Sequence, residues 1–361
     1  MSALGSAPAS GPLGDGHGDP GEAPVRVLYF TGSGRSGTTV INNILGQLPG
    51  AFACGELRYL WRRGVVEDHL CACGETFAEC PVWSAVMASP GRPGSVAGEP
   101  ISADEAAGVA ARLLNRLASR RVPAMLARRV VGRTPVPPHP DDATVHWLYR
   151  SVARHTGGAL VVDSSKLPPY GLLLHQLPGV EVLHLHVVRD SRATAFSWQR
   201  TKPTLDHAGG DQVMPTLMFW KSSLLWAWWN TLTVALWGRS PGYLRVRYED
   251  FVADPRGVMQ TIAEWAGLPA DDLPFETPTS VRMAPTHSVA GNPSRHSRGA
   301  VEIRSDDEWT RAMPTRDRRL VTAMTAAVLL GFGYSLRAGA VAAVRGGGSS
   351  ARERLSGKGV R

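Results

Sequence analysis

The stretch TGSGRSGTTV, residues 31–40, combines three glycines, several hydroxyl groups and one arginine. It follows the short apolar run VRVLYF and precedes VINNIL, whose apolar residues have helical spacing. Backbone N–H groups at such a strand-to-helix turn bind phosphate, because the start of a helix carries partial positive charge. The stretch therefore predicts a site for a ligand that carries a phosphate group.

The glycine spacing matches two phosphate-binding patterns and satisfies neither completely. Gly32, Gly34 and Gly37 spell G-x-G-x-x-G, which is typical of dinucleotide sites. Such a site also needs an acidic residue about 20 positions further on, at the end of a second strand. Glu56 has this spacing, but the residues before it, LPGAFACG, predict a poor strand because they begin with a Pro-Gly turn. A dinucleotide site is therefore disfavoured.

The second pattern is the triphosphate loop G-x-x-x-x-G-K-[ST], in which Thr38 stands at the position of the lysine. That loop works with a strand-end aspartate that holds magnesium, and Asp163 and Asp190 are the candidates. The nearest cation is Arg35, which lies within the loop itself. A nucleoside or metabolite kinase remains an alternative, weakened by the missing lysine.

A second motif, HVVRDSRATAFSW, favours a ligand with two separated anionic groups. Arg189 stands at the carboxyl end of a predicted strand, and Ser197 lies two turns into the helix that follows. Ligands of parallel sheets bind at this edge, so both side chains can converge on a further phosphate. The alternative is structural: Arg189 and Asp190 form an ion pair at a helix start, and Ser197 is an ordinary helical residue.

The two motifs together resemble those of sulfotransferases that use 3′-phosphoadenosine-5′-phosphosulfate (PAPS). The resemblance is closest to the branch of bacterial and Golgi carbohydrate sulfotransferases and tyrosylprotein sulfotransferases. It extends from about Val25 to about Leu336, and four further segments agree with it: CGELRYLW (54–61), VVDSSKLP (161–168), VRYEDFVADP (246–255) and GNPSRHSRGAVEIRSDDEW (291–309). It implies an α/β fold of the P-loop-like, three-layer type, with a central, mainly parallel sheet flanked by helices.

The resemblance also implies a role for each site residue, in a sulfuryl transfer that requires no metal. The implied catalytic residues are Glu56 as general base, Lys166 beside the leaving group, together with Ser165, and Arg35 at the sulfuryl oxygens. The implied donor-binding residues are Gly34, Arg35, Ser36, Gly37, Thr38 and Thr39 for the 5′-phosphosulfate, Arg189, Ser197 and Arg295 for the 3′-phosphate, and Tyr248 near the purine. From their position after Glu56, Arg58 and Trp61 are candidates for the acceptor pocket.

The order of elements predicts the same fold class. Strands are predicted at VRVLYF (25–30), ALVVD (159–163), VEVLHLHVV (180–188) and YLRVRY (243–248), and helices at 38–48, 103–119, 191–201, 215–238, 256–267 and 316–336. Apolar strands that alternate with helices predict a mainly parallel sheet covered on both faces. We expect a disordered leader at 1–24, a single domain at 25–340 with a Cys-containing insertion at about 62–100, a surface excursion at 120–142, and a flexible basic tail at 341–361.

The cysteines permit three interpretations. Cys71, Cys73 and Cys80 cluster after His69, a set that can remain free, form a disulfide or hold zinc. Cys54 stands apart. Tyrosylprotein sulfotransferases, to which the chain is similar, bridge the cysteine at this position to one that Ser164 replaces here. We therefore expect Cys54 to be unbridged, which weakens a prediction of tyrosylprotein activity.

Composition bounds the partners. The net charge is +8, but no Lys/Arg-rich run interleaved with aromatics occurs, so nucleic acid is not an expected partner. The leader lacks the pattern of a secretory signal, so a cytoplasmic location is expected. The Trp-rich run 217–237 contains Lys221 and Asn230, which favours a buried helix over a membrane span, with peripheral membrane contact as a further possibility. The expected acceptor is a hydroxylated carbohydrate, lipid or secondary metabolite, and a module that binds the donor without catalysis is an alternative.

Overall fold

The computed structural model describes residues 23–94, 99–201, 203–204, 206 and 213–337. The predicted tail and all but the last two residues of the predicted leader lie outside the described residues. In the described part, the strands are β1 (Val25–Thr31), β2 (Ala51–Gly55), β3 (Leu160–Lys166), β4 (Val180–Val188), β5 (Tyr243–Arg247), β6 (Ser280–Met283) and β7 (Gly299–Glu302).

The α-helices of the described residues pack around the sheet. They are α1 (Thr38–Leu45), α2 (Pro81–Met87), α3 (Ala103–Arg116), α4 (Val122–Val130), α5 (Asp141–His155), α6 (Pro168–Leu174), α7 (Ser191–Gln199), α8 (Phe219–Trp237), α9 (Tyr248–Ala253), α10 (Pro255–Ala266), α11 (Trp309–Ala312) and α12 (Thr315–Gly331). Shorter 3-10 turns occur at Leu57–Tyr59, Ser119–Arg121, Ala270–Asp272 and Pro293–His296, and Leu60–Val66 forms a π-helix.

Five described strands form one parallel sheet in the order β2-β3-β1-β4-β5, and β6 and β7 form a separate antiparallel pair. Strand β1 is central, and its last residue, Thr31, pairs with Lys166 of β3 on one side and with His186 of β4 on the other. The predicted α/β fold with a mainly parallel sheet is confirmed.

The alternation of side chains along β1 places apolar groups on both faces of the sheet. Val27 and Tyr29 belong to a core shared with α5, α6 and α8, whereas Leu28 and Phe30 belong to a core shared with α1 and α10. All four side chains are fully buried. Such a strand reads as a continuous apolar run, which is why β1 could be predicted from its sequence.

One prediction about the strands is wrong. Residues 51–55, expected to make a poor strand, form the edge strand β2, which pairs with β3 in parallel from Ala51 to Gly55. Pairing with a neighbouring strand outweighs the weak intrinsic preference of this segment for extended structure. The expected surface excursion at 120–142 is mostly exposed, and within it lie α4 and the start of α5, which were not predicted, and the buried side chains of Val122, Met125 and Val136.

Helix α8 carries the Trp-rich run, and its tryptophans face different surroundings. Trp226 and Trp237 are buried, whereas Trp220 and Trp228 are each 40% exposed. The expectation of a buried helix therefore holds for part of its circumference. In the described part of the chain, every helix is too short or too polar to span a bilayer.

The four cysteines are all free thiols. Cys54 is buried in β2 and unbridged, as expected. The other three cysteines meet at one point, but the imidazole beside them belongs to His287 and not to His69. His69 instead lies 3.0 Å from Glu67, measured from Nε2 to Oε2. The expected fourth member of the cluster was therefore wrong.

Candidate active site

The carboxyl ends of the five parallel strands bring the predicted site residues to one edge of the sheet. The loop Gly32–Gly37 follows β1, Glu56 follows β2, Lys166 ends β3, Arg189 follows β4 and Tyr248 follows β5. Ligands of open parallel sheets bind at this edge, next to the central strand, where the connections from neighbouring strands lead in opposite directions along the sheet. The sheet topology thus collects residues that lie far apart in the sequence.

The loop after β1 has a backbone that leaves little room for side chains. Gly32 has φ +113°, and a Cβ there would lie 2.8 Å from Cδ2 of His186 and 2.9 Å from Oδ1 of Asn230. Within the loop, the Ser36 hydroxyl donates to the carbonyl of Ser33 at 3.0 Å. Gly37, with φ +83°, leads directly into α1. The strand end, the glycine turn and the helix start therefore form the arrangement that the spacing of residues 31–40 predicts.

A cavity of about 550 Å³ opens beside this loop. Most of the predicted site residues line it, namely Gly34, Arg35, Gly37, Thr38, Thr39, Glu56, Lys166, Arg189 and Ser197. Ser36, Tyr248 and Arg295 are not among its lining residues. Of the two residues considered for the acceptor pocket, Arg58 lines the cavity, whereas Trp61 is fully buried in the core.

Glu56 and Lys166 form an ion pair within this cavity. Nζ of Lys166 lies 2.7 Å from Oε1 of Glu56 and donates a second hydrogen bond to the carbonyl of Ser164 at 2.6 Å. Burial raises the pKa of Glu56, but the charge and hydrogen bond of Lys166, with further help from Arg58 and Arg63, outweigh it. The pKa of Glu56 therefore lies below its ordinary value, and the group is a carboxylate at neutral pH.

Asp163 holds the elements around this pair in position. One carboxylate oxygen accepts from the Ser165 hydroxyl at 2.6 Å and from the backbone N–H of Leu57 at 3.3 Å, and the other accepts from the Tyr149 hydroxyl. Ser165 in turn accepts from the backbone N–H of Arg58 at 3.1 Å. This network links the end of β3 to the segment after Glu56, so it fixes the relative positions of Glu56 and Lys166.

Arg35 presents its guanidinium group to the same cavity. Its Cζ lies 4.8 Å from the ring centroid of Trp198, and Nη1 lies 3.3 Å from the sulfur of Met214. Nη2 is buried and has no hydrogen-bond partner among the described residues. Burial lowers the pKa of Arg35, and the charge of Glu56 opposes that shift. The guanidinium remains charged, because an arginine is effectively always protonated in proteins.

Arg189 lies on the other side of the loop, stacked on Tyr248. Its Cζ is 4.6 Å from the ring centroid of Tyr248, and Nη2 lies 3.0 Å from Oδ2 of Asp306. Its Nε is buried and has no hydrogen-bond partner among the described residues. The Tyr248 ring also packs beneath Gly37. Tyr248 therefore packs against both the loop and Arg189, and its expected place near the purine stays a prediction.

Arg295, expected at the 3′-phosphate, forms an ion pair with Asp206. Its guanidinium is buried, lies 2.7 Å from Oδ1 of Asp206 and donates to the carbonyl of Leu70 at 3.0 Å. These contacts use the charge of Arg295 to join the Cys-containing insertion to the loop that contains Gly291, Asn292 and Ser294. Its Nε is buried and has no hydrogen-bond partner among the described residues, so the expected role at the 3′-phosphate stays a prediction beside this structural one.

Sequence reasoning missed much of the cavity wall. The missed residues are Tyr59, Arg63, Trp198, Met214, Leu217, Leu225, Trp229 and Asn292. Most of them lie on helices or irregular segments whose register relative to the sheet depends on tertiary packing. Trp229 had one usable signal, since it belongs to a helix in which the tryptophans cannot all face one way.

Comparison with known proteins supports the interpretation of the fold. Residues 168–296 match the family model described as the sulfotransferase domain. Among solved structures, the sulfotransferase domain of the Synechococcus olefin synthase is similar, with 18% sequence identity and a TM-score of 0.50, covering 90% of this chain and all of that one. The sulfotransferase domain of the curacin biosynthetic pathway has 14% identity and a TM-score of 0.47, covering 88% of this chain and all of that one.

A search of curated proteins found no significant match. The family match covers α6, β4, α7, α8 and β5, the elements that carry Arg189, Ser197 and the Trp-rich helix. The similarity to the Synechococcus domain extends the same fold over most of the remaining chain. Residues 168–296 thus match the sulfotransferase domain model, and the rest of the chain shares the fold of the Synechococcus domain.

Proposed function

We propose that this protein is a sulfotransferase that moves the sulfuryl group of PAPS to a hydroxyl of a carbohydrate, glycolipid or secondary metabolite, with Glu56 as general base. The observation that carries the proposal is the ion pair of Glu56 and Lys166 in the same cavity as the glycine-rich loop. The cavity then contains three groups that sulfuryl transfer requires. Glu56 can accept a proton, Lys166 can neutralise a leaving group, and the start of α1 can bind phosphate.

The cationic groups of the cavity fit a donor with two anionic ends. Nη2 of Arg35 and Nε of Arg189 are buried donors that lack a partner among the described residues. A buried donor without an acceptor is costly, and an anionic oxygen at each position would remove that cost. We assign Arg35, Thr38 and Thr39 to the 5′-phosphosulfate, and Arg189 with Ser197 to the 3′-phosphate.

These residues and the donor account for every bond and proton that changes in the proposed transfer. The donor supplies a sulfuryl group bonded to a phosphate oxygen. As the acceptor oxygen forms its new bond to sulfur, the hydroxyl proton passes to a carboxylate oxygen of Glu56, and the sulfur–oxygen bond to the phosphate breaks. Lys166 neutralises the negative charge that develops on the departing phosphate, whose product is 3′-phosphoadenosine 5′-phosphate.

The cavity wall favours an acceptor with an apolar part beside its hydroxyl. Met214, Pro215, Leu217, Leu225 and Trp229 are apolar residues that line the cavity. Apolar walls with a few directed polar groups suit small-molecule ligands. Among the acceptor classes, a secondary metabolite or a lipid conjugate therefore fits better than an unsubstituted sugar.

The free thiols support a reducing, cytoplasmic location.

The alternative functions fit less well. Asp163 does not line the cavity, and its carboxylate accepts from Ser165. Asp190 caps α7 and pairs with Arg192 at 2.6 Å. Neither aspartate therefore suits the magnesium site of a kinase. A module without catalysis would be favoured by a Glu56 that pointed away from the loop, but Glu56 lines the cavity. Ser164 stands where tyrosylprotein sulfotransferases have a bridging cysteine, so tyrosylprotein activity is disfavoured.

Calorimetric titration with 3′-phosphoadenosine 5′-phosphate tests the donor site. We expect binding that is independent of magnesium and at least about 100-fold weaker in Arg189→Ala, because a charge-assisted contact to a phosphate is lost. Arg200→Ala is the matched control, since Arg200 also approaches Asp306, at 3.7 Å, but does not line the cavity. Preference for ATP with magnesium would contradict the proposal and favour a kinase.

Turnover then tests the base. With an acceptor found by screening hydroxylated metabolites, Glu56→Gln should lower kcat by about 10²–10⁴-fold and leave nucleotide affinity unchanged. Glu67→Gln provides the control, because Glu67 is a nearby carboxylate that pairs with Arg62 outside the cavity. A Glu56→Gln variant with unchanged kcat would exclude Glu56 as the base.

A further inference from the structure

Three thiols and one imidazole converge outside the cavity described above. Cys71, Cys73 and Cys80 come from the Cys-containing insertion, and His287 comes from a loop more than 200 residues later in the chain. Their ligand atoms all lie within 4.8 Å of one another, and Nδ1 of His287 lies 3.3 Å from Sγ of Cys80. The proposed sulfuryl transfer uses none of these four groups.

We propose that Cys71, Cys73, Cys80 and His287 bind one structural zinc ion. Three cysteines and one histidine are an established set for closed, tetrahedral zinc sites. At the usual bond lengths, the ligand atoms of such a site lie roughly 3.5–3.8 Å apart. The separations found here need only a small inward movement of the side chains to reach that geometry.

The surroundings fit a metal better than a disulfide. A disulfide would use two of the thiols and would leave the third thiol and the imidazole unexplained. Three thiolates around Zn²⁺ carry a net negative charge, and Arg298 lies beside them, donating from Nη2 to the carbonyl of Cys73 at 2.6 Å. Cys71 and Cys80 are buried, which is typical of a closed structural site.

The ion would reinforce the connection between two segments that hydrogen bonds already join. The N–H of Ala72 donates to the carbonyl of Ser288 at 3.1 Å, and Nε1 of Trp83 donates to the carbonyl of His287 at 2.7 Å. The loop from His287 then continues beside the cavity, where the N–H of Glu56 donates to the carbonyl of Ala290 at 3.1 Å. Zinc at this point would therefore hold both the insertion and the loop that borders Glu56.

Metal analysis of the reduced, full-length protein tests the proposal. After expression with added zinc and dialysis against zinc-free buffer, we expect about one zinc per chain, falling to less than about a tenth in His287→Gln and in Cys80→Ser. The matched control is His69→Gln, because His69 precedes the cluster in sequence but lies against Glu67. This variant should keep its zinc.

A second measurement covers the case in which the variants do not fold. Wild-type protein is treated with a chelator, and cobalt(II) is then added. We expect the absorption bands of tetrahedral, thiolate-bound cobalt, and zinc should displace them. Folded, reduced protein that takes up neither zinc nor cobalt would overturn the proposal. So would a Cys71–Cys80 disulfide under the same conditions, stoichiometric iron with sulfide, or loss of zinc in His69→Gln.

One consequence rests on the proposed function. Because the loop after His287 borders the cavity, chelation should weaken binding of 3′-phosphoadenosine 5′-phosphate severalfold, and zinc should restore it. The two proposals can fail separately: zinc without nucleotide binding would contradict the donor site alone, and nucleotide binding without zinc would contradict the metal site alone.

Discussion

At the scale of single residues, Lys166 acts on the proposed reaction in two ways. Its ammonium group lies 2.7 Å from Glu56 and lowers the pKa of that carboxyl against the effect of burial. The same group would neutralise the leaving phosphate. A base with a lowered pKa is a weaker base, but it is fully ionised at neutral pH.

The Lys166→Met variant separates these two effects. Without the ammonium group, burial dominates and the pKa of Glu56 rises, so the acid limb of the pH profile of kcat/KM should move toward neutral pH. The maximal rate should also fall by about 100-fold, since one charge at the leaving group is lost. Rate profiles of the wild type and the variant, measured with one acceptor, provide the comparison.

Lys221→Met is the control for this prediction. Lys221 is exposed on α8, beside Trp220, and does not line the cavity. Its removal should leave both the acid limb and the rate unchanged. If the acid limb of Lys166→Met coincides with that of the wild type, then Glu56 is not the group whose ionisation limits the reaction.

At the scale of elements, the sequence predicted what depends on local pattern and missed what depends on pairing. Strand β4 was predicted with its observed ends, Val180 and Val188, because a long β-branched run is strongly patterned. Strand β2 was missed, because Ala51–Gly55 becomes a strand only through its pairing with β3. Because of that error, Glu56 was assigned to the site from the family resemblance and not from a predicted strand end.

The same distinction applies to the candidate site. Arg35 and Arg189 were expected at the site because each stands in a motif at a predicted strand end, and Glu56 and Lys166 because their segments resemble those of sulfotransferases. Arg295 was expected at a phosphate for the same reason, and its motif does not reveal Asp206, a partner 89 positions away in sequence. The position of His287 beside the cysteines was likewise invisible, since 207 positions separate it from Cys80. Contacts of this range are set by topology.

The turn between β1 and α1 gives a prediction for this element. Gly32→Ala places a Cβ within 3 Å of the side chains of His186 and Asn230, at a backbone angle that disfavours alanine. We expect a loss of roughly 3 kcal/mol in the free energy of unfolding, from the sum of strain and overpacking. Urea unfolding followed by fluorescence measures it, with nucleotide binding as a second readout.

Gly50→Ala is the matched control, because Gly50 also has a positive φ, +78°, but has no atom within 4 Å of an added Cβ. It should lose only about 1 kcal/mol, the cost of the backbone angle alone. Nucleotide affinity should remain unchanged in this variant. Equal losses in the two variants would mean that His186 and Asn230 move aside freely, and that the loop is less closely packed than the distances indicate.

At the scale of the whole molecule, the centre of the sheet contains histidines that fold as neutral groups. His186 is fully buried between the Tyr243 hydroxyl, at 2.7 Å, and Oδ1 of Asn230, at 2.8 Å. Burial lowers its pKa to about 3, with Arg245 acting in the same direction and the bond to Asn230 opposing. Burial likewise lowers the pKa of His184, which stacks on Trp237.

These histidines make the free energy of unfolding depend on pH. Below its ordinary pKa of 6.5, His186 takes up a proton in the unfolded chain and remains neutral in the folded one until the pH nears 3. The unfolded state therefore binds more protons in this window, so stability falls as the pH falls. Each such histidine contributes up to about 1.4 kcal/mol per pH unit. Urea unfolding at several pH values between 7.5 and 4.5 should show this decline.

His186→Gln tests the origin of the decline, because a glutamine amide can still bond to Asn230 and cannot take up the proton. The variant is expected to be less stable than the wild type at pH 7.5, and the two stability curves should converge as the pH falls. The slope of the free energy of unfolding against pH should be smaller in the variant by the contribution of one proton, about 1.4 kcal/mol per pH unit. His155→Gln, at an exposed position at the end of α5, should keep the wild-type slope. Parallel curves for the wild type and His186→Gln would show that other groups, the buried carboxyls among them, set the acid stability of the molecule.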